Sequence, residues 1–260
     1  GHTLSLFIGF RRVEFIPHKG MFVNGEMVKM KGVCLHHDGG CVGSAVTESL
    51  LKKRLKLLKS MGCNTIRTSH NIVSAEMMDL CDRLGFYVVD ECFDKWVQGA
   101  YSRFYETDAT TDLAYLIRRD RNRPSVVMWS MGNEIDDQGS ASMLTILKRL
   151  CNFTRTLDNR PVTVAMSPHY QNPEGESVEG QVEDNVAAAG RIADVVDIIS
   201  CNYQEQWYDA IHEVIPDKAI LGTETYMYFR GEEDKFQNFT EENPWFDVDK
   251  RDYCIGGMIW

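Results

Sequence analysis

The sequence predicts a (β/α)8 TIM barrel. Three observations carry that prediction: short apolar, strand-like runs alternate with amphipathic helical stretches, eight such runs fit within 260 residues, and nearly every run ends in a polar residue. A doubly wound open sheet would meet the first two. It would scatter the polar ends along one edge, whereas a closed barrel gathers them at one mouth. The third observation therefore favours the barrel.

Composition bounds the partners. A hydrophobic content of 43% and a charged content of 25% describe an ordinary globular core and surface. The formal charge of −10 argues against a nucleic-acid or anionic-membrane partner, which would call for a basic face. No apolar run nears the roughly 20 residues that span a bilayer. The opening GHTLSLFIGFRR has no basic segment ahead of an apolar core, so no signal peptide is read in it, and the compartment stays open between periplasm and cytoplasm. The eight cysteines show no C-x-x-C pair and no zinc spacing. Cys34, Cys92 and Cys201 fall in or beside apolar runs, so free, buried thiols are expected.

The elements follow in order. Residues 1–16 alternate like one β-strand and read as the last strand of a preceding β-sandwich domain, with the barrel occupying 17–260. Asn24-Gly25 between apolar runs predicts a hairpin, whose returning strand runs through Met30 and Val33 to Leu35. A helix is predicted over 47–61 with Thr47 as its cap, then a strand at 64–68. Ser74 caps a helix that Gly85 stops, and a third strand follows at 86–89. A helix over 108–121 precedes the central run Val126-Val127-Met128-Trp129, which is expected to break at Gly132 and deliver Asn133 and Glu134. A helix at 140–157, a strand at 162–166, a long loop at 167–180 and a helix at 184–191 come next. Strands at 195–200, 219–222 and 255–260, with a short helix at 207–214, complete the eight. With no eighth helix after the last strand and a leftover strand at the start, the chain reads as a piece excised from a multidomain protein.

The polar strand ends are His36, Arg67 with His70, Glu91, Asn133 with Glu134, Tyr203 and Glu224. An amide and a carboxylate ending a buried strand, with a second carboxylate ending another 90 residues later, is a pattern at which chemistry is done in barrels.

These residues lie in motifs that resemble the catalytic barrel of glycoside hydrolase family two, the β-galactosidase and β-glucuronidase group. The resemblance rests on Gly9-Phe10-Arg11, NGE at 24–26, KGVCLHHD at 31–38, NTIRTSHN at 64–71, YVVDE at 87–91, VVMWSMGNE at 126–134, ILGTE at 220–224 and GGMIW at 256–260. The segment DIISCNYQEQWYD at 197–209 looks most like the β-galactosidase branch of gut bacteria. The resemblance implies a retaining exo-β-glycosidase with flanking β-sandwich domains, acting on terminal β-linked sugars, β-galactosides first and β-glucuronides as the alternative. Oligomeric state is left open, a homo-oligomer being compatible.

The resemblance also implies roles. Cleaving a glycosidic bond needs one carboxyl to protonate the leaving oxygen and one carboxylate on the other face of the sugar. Glu134 matches the family's acid/base and Glu224 its nucleophile, with Arg67 holding the latter charged. Asn133 matches the residue that binds the 2-hydroxyl, His36 and His70 those that bind other ring hydroxyls, and Tyr203 the donor to the nucleophile. Trp260 would offer a flat apolar face to the sugar, and Asp38 would position His36 or a neighbouring loop. Asp90 and Glu91 would buttress Arg67.

Two rival readings differ in class. A metal-dependent hydrolase could draw ligands from His36, His37, Asp38, His70 and Glu91, but successive strand side chains point to opposite faces, so adjacent histidines seldom share an ion. Some family β-galactosidases bind magnesium through Glu-x-His after strand three, where this chain has Lys95 and Val97, so no metal and no cofactor is expected. A non-catalytic carbohydrate-binding barrel would keep the aromatics Trp96, Trp207 and Tyr203 and could dispense with either carboxylate, yet both are present.

Overall fold

The computed structural model describes residues 2–3, 8–168, 178–225 and 244–260. Eight parallel strands close a barrel: β4 (Met30–Leu35), β5 (Thr65–Thr68), β6 (Tyr87–Glu91), β7 (Val126–Asn133), β8 (Val162–Met166), β9 (Ile199–Asn202), β10 (Ile220–Thr225) and β11 (Cys254–Ile259). They run in sequence order around the wall, and β11 pairs back onto β4 with Gly256 opposite Met30 and Met258 opposite Gly32. Helices α1 (Glu48–Ser60), α2 (Ala75–Leu84), α3 (Ser102–Asp120), α4 (Ala141–Arg155), α5 (Val178–Ala193), α6 (Tyr208–Val214) and α7 (Pro244–Asp249) lie between strands. Among the described residues no helix is long and apolar enough to cross a membrane.

The helix starts follow from their caps. Thr47, Ser74 and Ser140 each accept a hydrogen bond from the amide three residues on, at Leu50, Met77 and Met143. Gly85 ends α2 in the left-handed region, where a side chain would be strained. Helix α3 starts at Ser102, six residues before the expected 108, because its buried stripe Tyr105, Ala109, Leu113 and Leu116–Ile117 begins one turn earlier. Strand β9 starts at Ile199 because Asp197 serves the preceding turn: its carboxylate accepts from the Val162 amide and from Arg155.

Two apolar cores are separated by the strand wall. The larger lies between helices and strands and includes Leu55, Ile66, Trp129, Leu147 and Ile220. The smaller fills the barrel interior with Met30, Val89, Val127, Met128, Leu221, Ile255 and Met258. Most of these stand near the strands' N-terminal ends. Met21 and the flanking Val13, Phe15, Val23 and Val28 pack against them from a three-stranded antiparallel sheet, which plugs that end. The sheet comprises β1 (Val13–Ile16), β2 (Gly20–Val23) and β3 (Glu26–Val28). Its second turn, Asn24-Gly25, has both residues at positive φ, the type I′ geometry that the dipeptide predicts. β1 pairs antiparallel with β2, Val13 opposite Val23 and Ile16 opposite Gly20. The returning strand is interrupted at Lys29, so β3 belongs to the plug and β4 to the barrel.

All eight cysteines are free, and six are buried, with Cys34 half-buried. Cys41 departs from the expectation: it lies exposed in the short helical turn Gly40–Val42 after β4.

Closure of the barrel depends on small residues where β11 meets β4. A Cβ on Gly256 would be driven into the backbone and Cβ of Met30, and one on Gly32 into the Met258 sulfur. Gly256→Ala is therefore expected to destabilise the barrel by about 1–3 kcal/mol. Gly190→Ala, whose Cβ in α5 meets nothing within 4 Å, should be neutral or stabilising by up to about 1 kcal/mol. Thermal unfolding of the two variants in the full-length protein checks the contrast, and equal melting temperatures would contradict it.

Candidate active site

The C-terminal mouth of the barrel is organised by Arg67, on β5 and fully buried. Its guanidinium spends nearly every donor. Nε and Nη2 form a fork onto Glu91 of β6, at 3.1 Å and 2.9 Å to Oε2. Nη1 donates to Glu224 Oε1 of β10 at 2.8 Å and to the Thr223 carbonyl at 3.2 Å. Nη2 also donates to Asn133 Oδ1 of β7 at 2.8 Å. One side chain thus ties the ends of four strands together.

The neighbours extend the network. Asn202, ending β9, donates through Nδ2 to Asn133 Oδ1 at 2.9 Å and to Glu134 Oε1 at 3.2 Å. Its own carbonyl accepts from Thr223 Oγ1 at 2.7 Å. Ser130 donates to Glu91 Oε2 at 2.6 Å. His70 Nδ1 stands 2.7 Å from Glu91 Oε1, and because a carboxylate only accepts, Nδ1 carries a proton and donates. His70 Nε2 then faces Asn133 Nδ2 at 3.5 Å and Glu224 Oε1 at 3.7 Å. A cis peptide joins Ser69 to His70.

Electrostatics follow the same partners. Burial alone would raise the Glu91 carboxyl, but Arg67 and the bonds from His70 and Ser130 hold it below its usual value. Burial would lower the Arg67 guanidinium, but the Glu91 and Glu224 carboxylates hold it above its usual value and therefore charged. Burial and the adjacent Glu224 carboxylate, to which its hydroxyl is bonded, push the Tyr203 phenol up, with Glu134 adding to the effect. Burial likewise pushes the Cys34 thiol up to about 11, so it stands beside Arg67 as a neutral group.

Backbone geometry aims two of these side chains. Glu134 and Tyr203 both have positive φ, 49° and 51°, a region that costs free energy for residues with a Cβ. Each is pinned there by its amide, Glu134 to the Ala165 carbonyl at 2.9 Å and Tyr203 to the Glu224 carbonyl at 2.8 Å. Strand β7 does not break at Gly132. The glycine stays in the strand and makes room, since a Cβ there would stand 2.7 Å from Trp96 Nε1 and 3.2 Å from the Asp94 carbonyl.

At the rim, Trp260 stacks on His70 with ring centres 5.1 Å apart and meets His36 edge-on at 4.9 Å. The three rings form one wall. Of the nine residues singled out in the sequence, Arg67, His70, Asn133, Glu134, Tyr203 and Glu224 form one contiguous network, and His36 and Trp260 line its edge. Asp38 stands apart: it is exposed and accepts from the Gly40 amide, so it shapes the loop after β4. Among the described residues no group of three or more His, Cys, Asp and Glu side chains is arranged to hold a metal ion. Residues 169–177 of the long loop predicted at 167–180, and residues 226–243, lie outside the described residues.

Glu91 stands against Arg67, where the sequence reading put it together with Asp90, while Asn202 and Lys95 join the site without having been singled out for it. Asn202 carried a signal, an amide ending a buried strand like Asn133. Asp90 does not buttress Arg67. It points to the other side of β6, where Thr68 donates to it at 3.1 Å, and burial together with the nearby Asp120 pushes its carboxyl well above the usual range.

That contrast between consecutive residues has a stability consequence. A carboxyl raised in the folded state contributes stability that is fully present below the unfolded value, near 4, and is lost as pH rises toward the folded value. Asn at position 90 cannot lose a proton. The melting temperature of Asp90→Asn relative to the wild type should therefore increase from pH 5 to pH 8. A difference that is flat or falls over that range would show Asp90 to be charged.

A family model described as "Glycosyl hydrolases family 2, TIM barrel domain" matches residues 15–226. The chain belongs to that family. It is 34% identical over 254 residues to the beta-galactosidase BoGH2A of Bacteroides ovatus, a match covering 84% of this chain and 28% of that protein. It is 30% identical over 274 residues to the beta-glucuronidase of Sus scrofa, covering 98% of this chain and 41% of the relative. A solved family 2 member from Bacteroides cellulosilyticus superposes with a TM-score of 0.81 at 32% identity, over 97% of this chain and 30% of that one. The chain thus spans well under half the length of these relatives.

Proposed function

We propose that this family 2 barrel is the catalytic domain of a retaining, exo-acting β-glycosidase, with Glu224 as nucleophile, Glu134 as acid/base and terminal β-galactosides as substrates. The observation that carries the reading is the Arg67 network, which joins the Glu224 carboxylate through Asn133 and Asn202 to Glu134 at one barrel mouth. Glu224 is fixed from two sides, by Arg67 and by Tyr203, as a group that must attack along one line should be.

In the first step a Glu224 oxygen attacks the anomeric carbon while Glu134 gives its proton to the departing oxygen, and the glycosyl ester forms as the glycosidic bond breaks. In the second, Glu134 takes a proton from water, the water oxygen attacks the anomeric carbon, and Glu224 leaves. Asn133 donates to the sugar's 2-hydroxyl through Nδ2: its Oδ1 is committed to Arg67 and Asn202 and one Nδ2 hydrogen is directed at Asp94, while the other faces His70 Nε2 at a long 3.5 Å and turns from it to the hydroxyl. His36 and His70 reach other ring hydroxyls, and Trp260 receives the sugar's C–H face. A β-glucuronide substrate is the alternative, favoured by the similarity to β-glucuronidases across 98% of this chain.

The test uses nitrophenyl β-glycosides and carboxyl variants of the full-length protein. Turnover should be highest on the β-galactoside, with the β-glucuronide as the competing outcome. Glu224→Ala should lose nearly all turnover on every substrate. Glu134→Ala should lose several orders of magnitude on disaccharides, yet release dinitrophenol in a burst, because that anion departs unprotonated. Added azide should then restore turnover and give a β-glycosyl azide. An α-azide from Glu134→Ala, or the two rescue patterns exchanged, would overturn the assignment.

A further inference from the structure

Lys95 lies in the loop after β6, and its ammonium Nζ stands 3.6 Å from Glu134 Oε2. The loop around it is fastened to the end of β7 at three points. The Asp94 carbonyl accepts from the Asn133 amide at 2.9 Å, and Asp94 Oδ1 accepts from Asn133 Nδ2 at 3.2 Å. The fully buried Trp96 donates through Nε1 to the Met131 carbonyl at 2.6 Å. Gly132 permits this close approach, as its space requirement shows. Lys95 is therefore held between two anchored residues, with its ammonium also 3.1 Å from Asp94 Oδ1.

We propose that Lys95 is a positioning residue for proton transfer by Glu134. The proposal rests on Glu134 being the acid/base. As the Glu134 O–H bond breaks and the leaving oxygen gains that proton, a negative charge is left on the Glu134 carboxylate. The electron pair of the broken glycosidic bond goes to the leaving oxygen, and Glu224 forms the new bond to carbon. Lys95 keeps all its protons throughout. Its cation stabilises the new charge at Oε2, while Asn202 holds Oε1 with a neutral amide at 3.2 Å. In the free protein the Lys95 and Glu134 side chains are 32% and 26% exposed, so water screens the pair. A bound leaving group displaces that water, and the interaction strengthens where charge develops.

A residue acting in this way matters in proportion to the proton a leaving group needs. The experiment compares Lys95→Met, Lys95→Arg and wild-type full-length protein on methyl and 2,4-dinitrophenyl β-D-glycosides of galactose and glucuronic acid. It reads kcat/KM, which reports steps up to formation of the glycosyl-enzyme. Lys95→Met should lower kcat/KM about tenfold on the methyl glycoside and by less than about twofold on the dinitrophenyl glycoside. Lys95→Arg, which keeps the charge, should recover most of the loss. Equal losses on both substrates would mark a structural role, and no loss on either would mark an idle surface pair, and each overturns the proposal. A wild type that cleaves neither dinitrophenyl glycoside, in contrast, would overturn the β-glycosidase reading itself, and this proposal with it.

Discussion

The fork of Arg67 is the constraint on which the mouth of this barrel depends. A guanidinium with no exposed surface must have its charge and its donors satisfied by protein, and two carboxylates, two carbonyl oxygens and a thiol do so. The desolvation of such a cluster offsets much of its Coulombic gain, so its contribution lies in geometry more than in net stability. Removing one partner from a buried pair leaves the other charge uncompensated, at a cost of about 3–5 kcal/mol. Lysine could not take the place of Arg67, because an ammonium cannot span two carboxylates and an amide with a fixed fork. Glu91 has no surface to present to a sugar, and its place is explained by Arg67 together with the donors His70 and Ser130.

The fold was legible because the apolar runs end in polar residues and three of the helices carry their own caps. The run from Val162 to Met166 and the caps at Thr47, Ser74 and Ser140 needed only local chemistry, and the structure places them where that chemistry does. The site was legible in part for a related reason: a barrel converts the statement "polar residue at a strand end" into a statement about position. Asp38 shows the limit of that conversion, since it lies three residues past the end of β4, where the chain already turns and the side chain serves the loop. Gly132 shows another. A glycine after an apolar run signals a break, but here it answers to Trp96, more than 30 residues away, and no local pattern records that. That an acid of β6 stands behind Arg67 was legible, but not that Glu91 alone does so, because Asp90 and Glu91 are chemically alike and only the strand's alternation sends one inward and the other out.

The two ends of the barrel have different tasks. At the N-terminal end the interior is filled by Met21, Met30, Met128 and Met258 with branched aliphatic side chains, and the β1–β3 sheet covers it. Methionine suits that place, because its unbranched side chain fits the irregular space between a closed barrel and a flat sheet. At the C-terminal end the interior residues turn polar within two positions: Val89 is followed inside β6 by Glu91, and Met128 along β7 by Ser130. The apolar plug carries the burial that stabilises the wall, which lets the mouth hold buried charge and two residues at positive φ.

Within that mouth the two carboxyl groups live in different surroundings, and the difference matches what the proposed chemistry asks of each. The Glu224 side chain is 4% exposed and is held by donors from β5 and from the residue after β9, so its oxygens have one orientation. Glu134 is 26% exposed, on the last peptide of a strand that has already turned, with one neutral donor and one solvated cation for company. A group that forms a bond to carbon gains from being immobile, since misalignment of an ångström removes much of the rate. A group that passes a proton to a leaving oxygen and later takes one from water must meet both, and burial would keep it from the second. The sequence motifs around Glu134 and Glu224 look equivalent, each an acid closing a buried strand. Their difference arises from neighbours supplied by other strands: Arg67 and Tyr203 around one, Asn202 and Lys95 around the other.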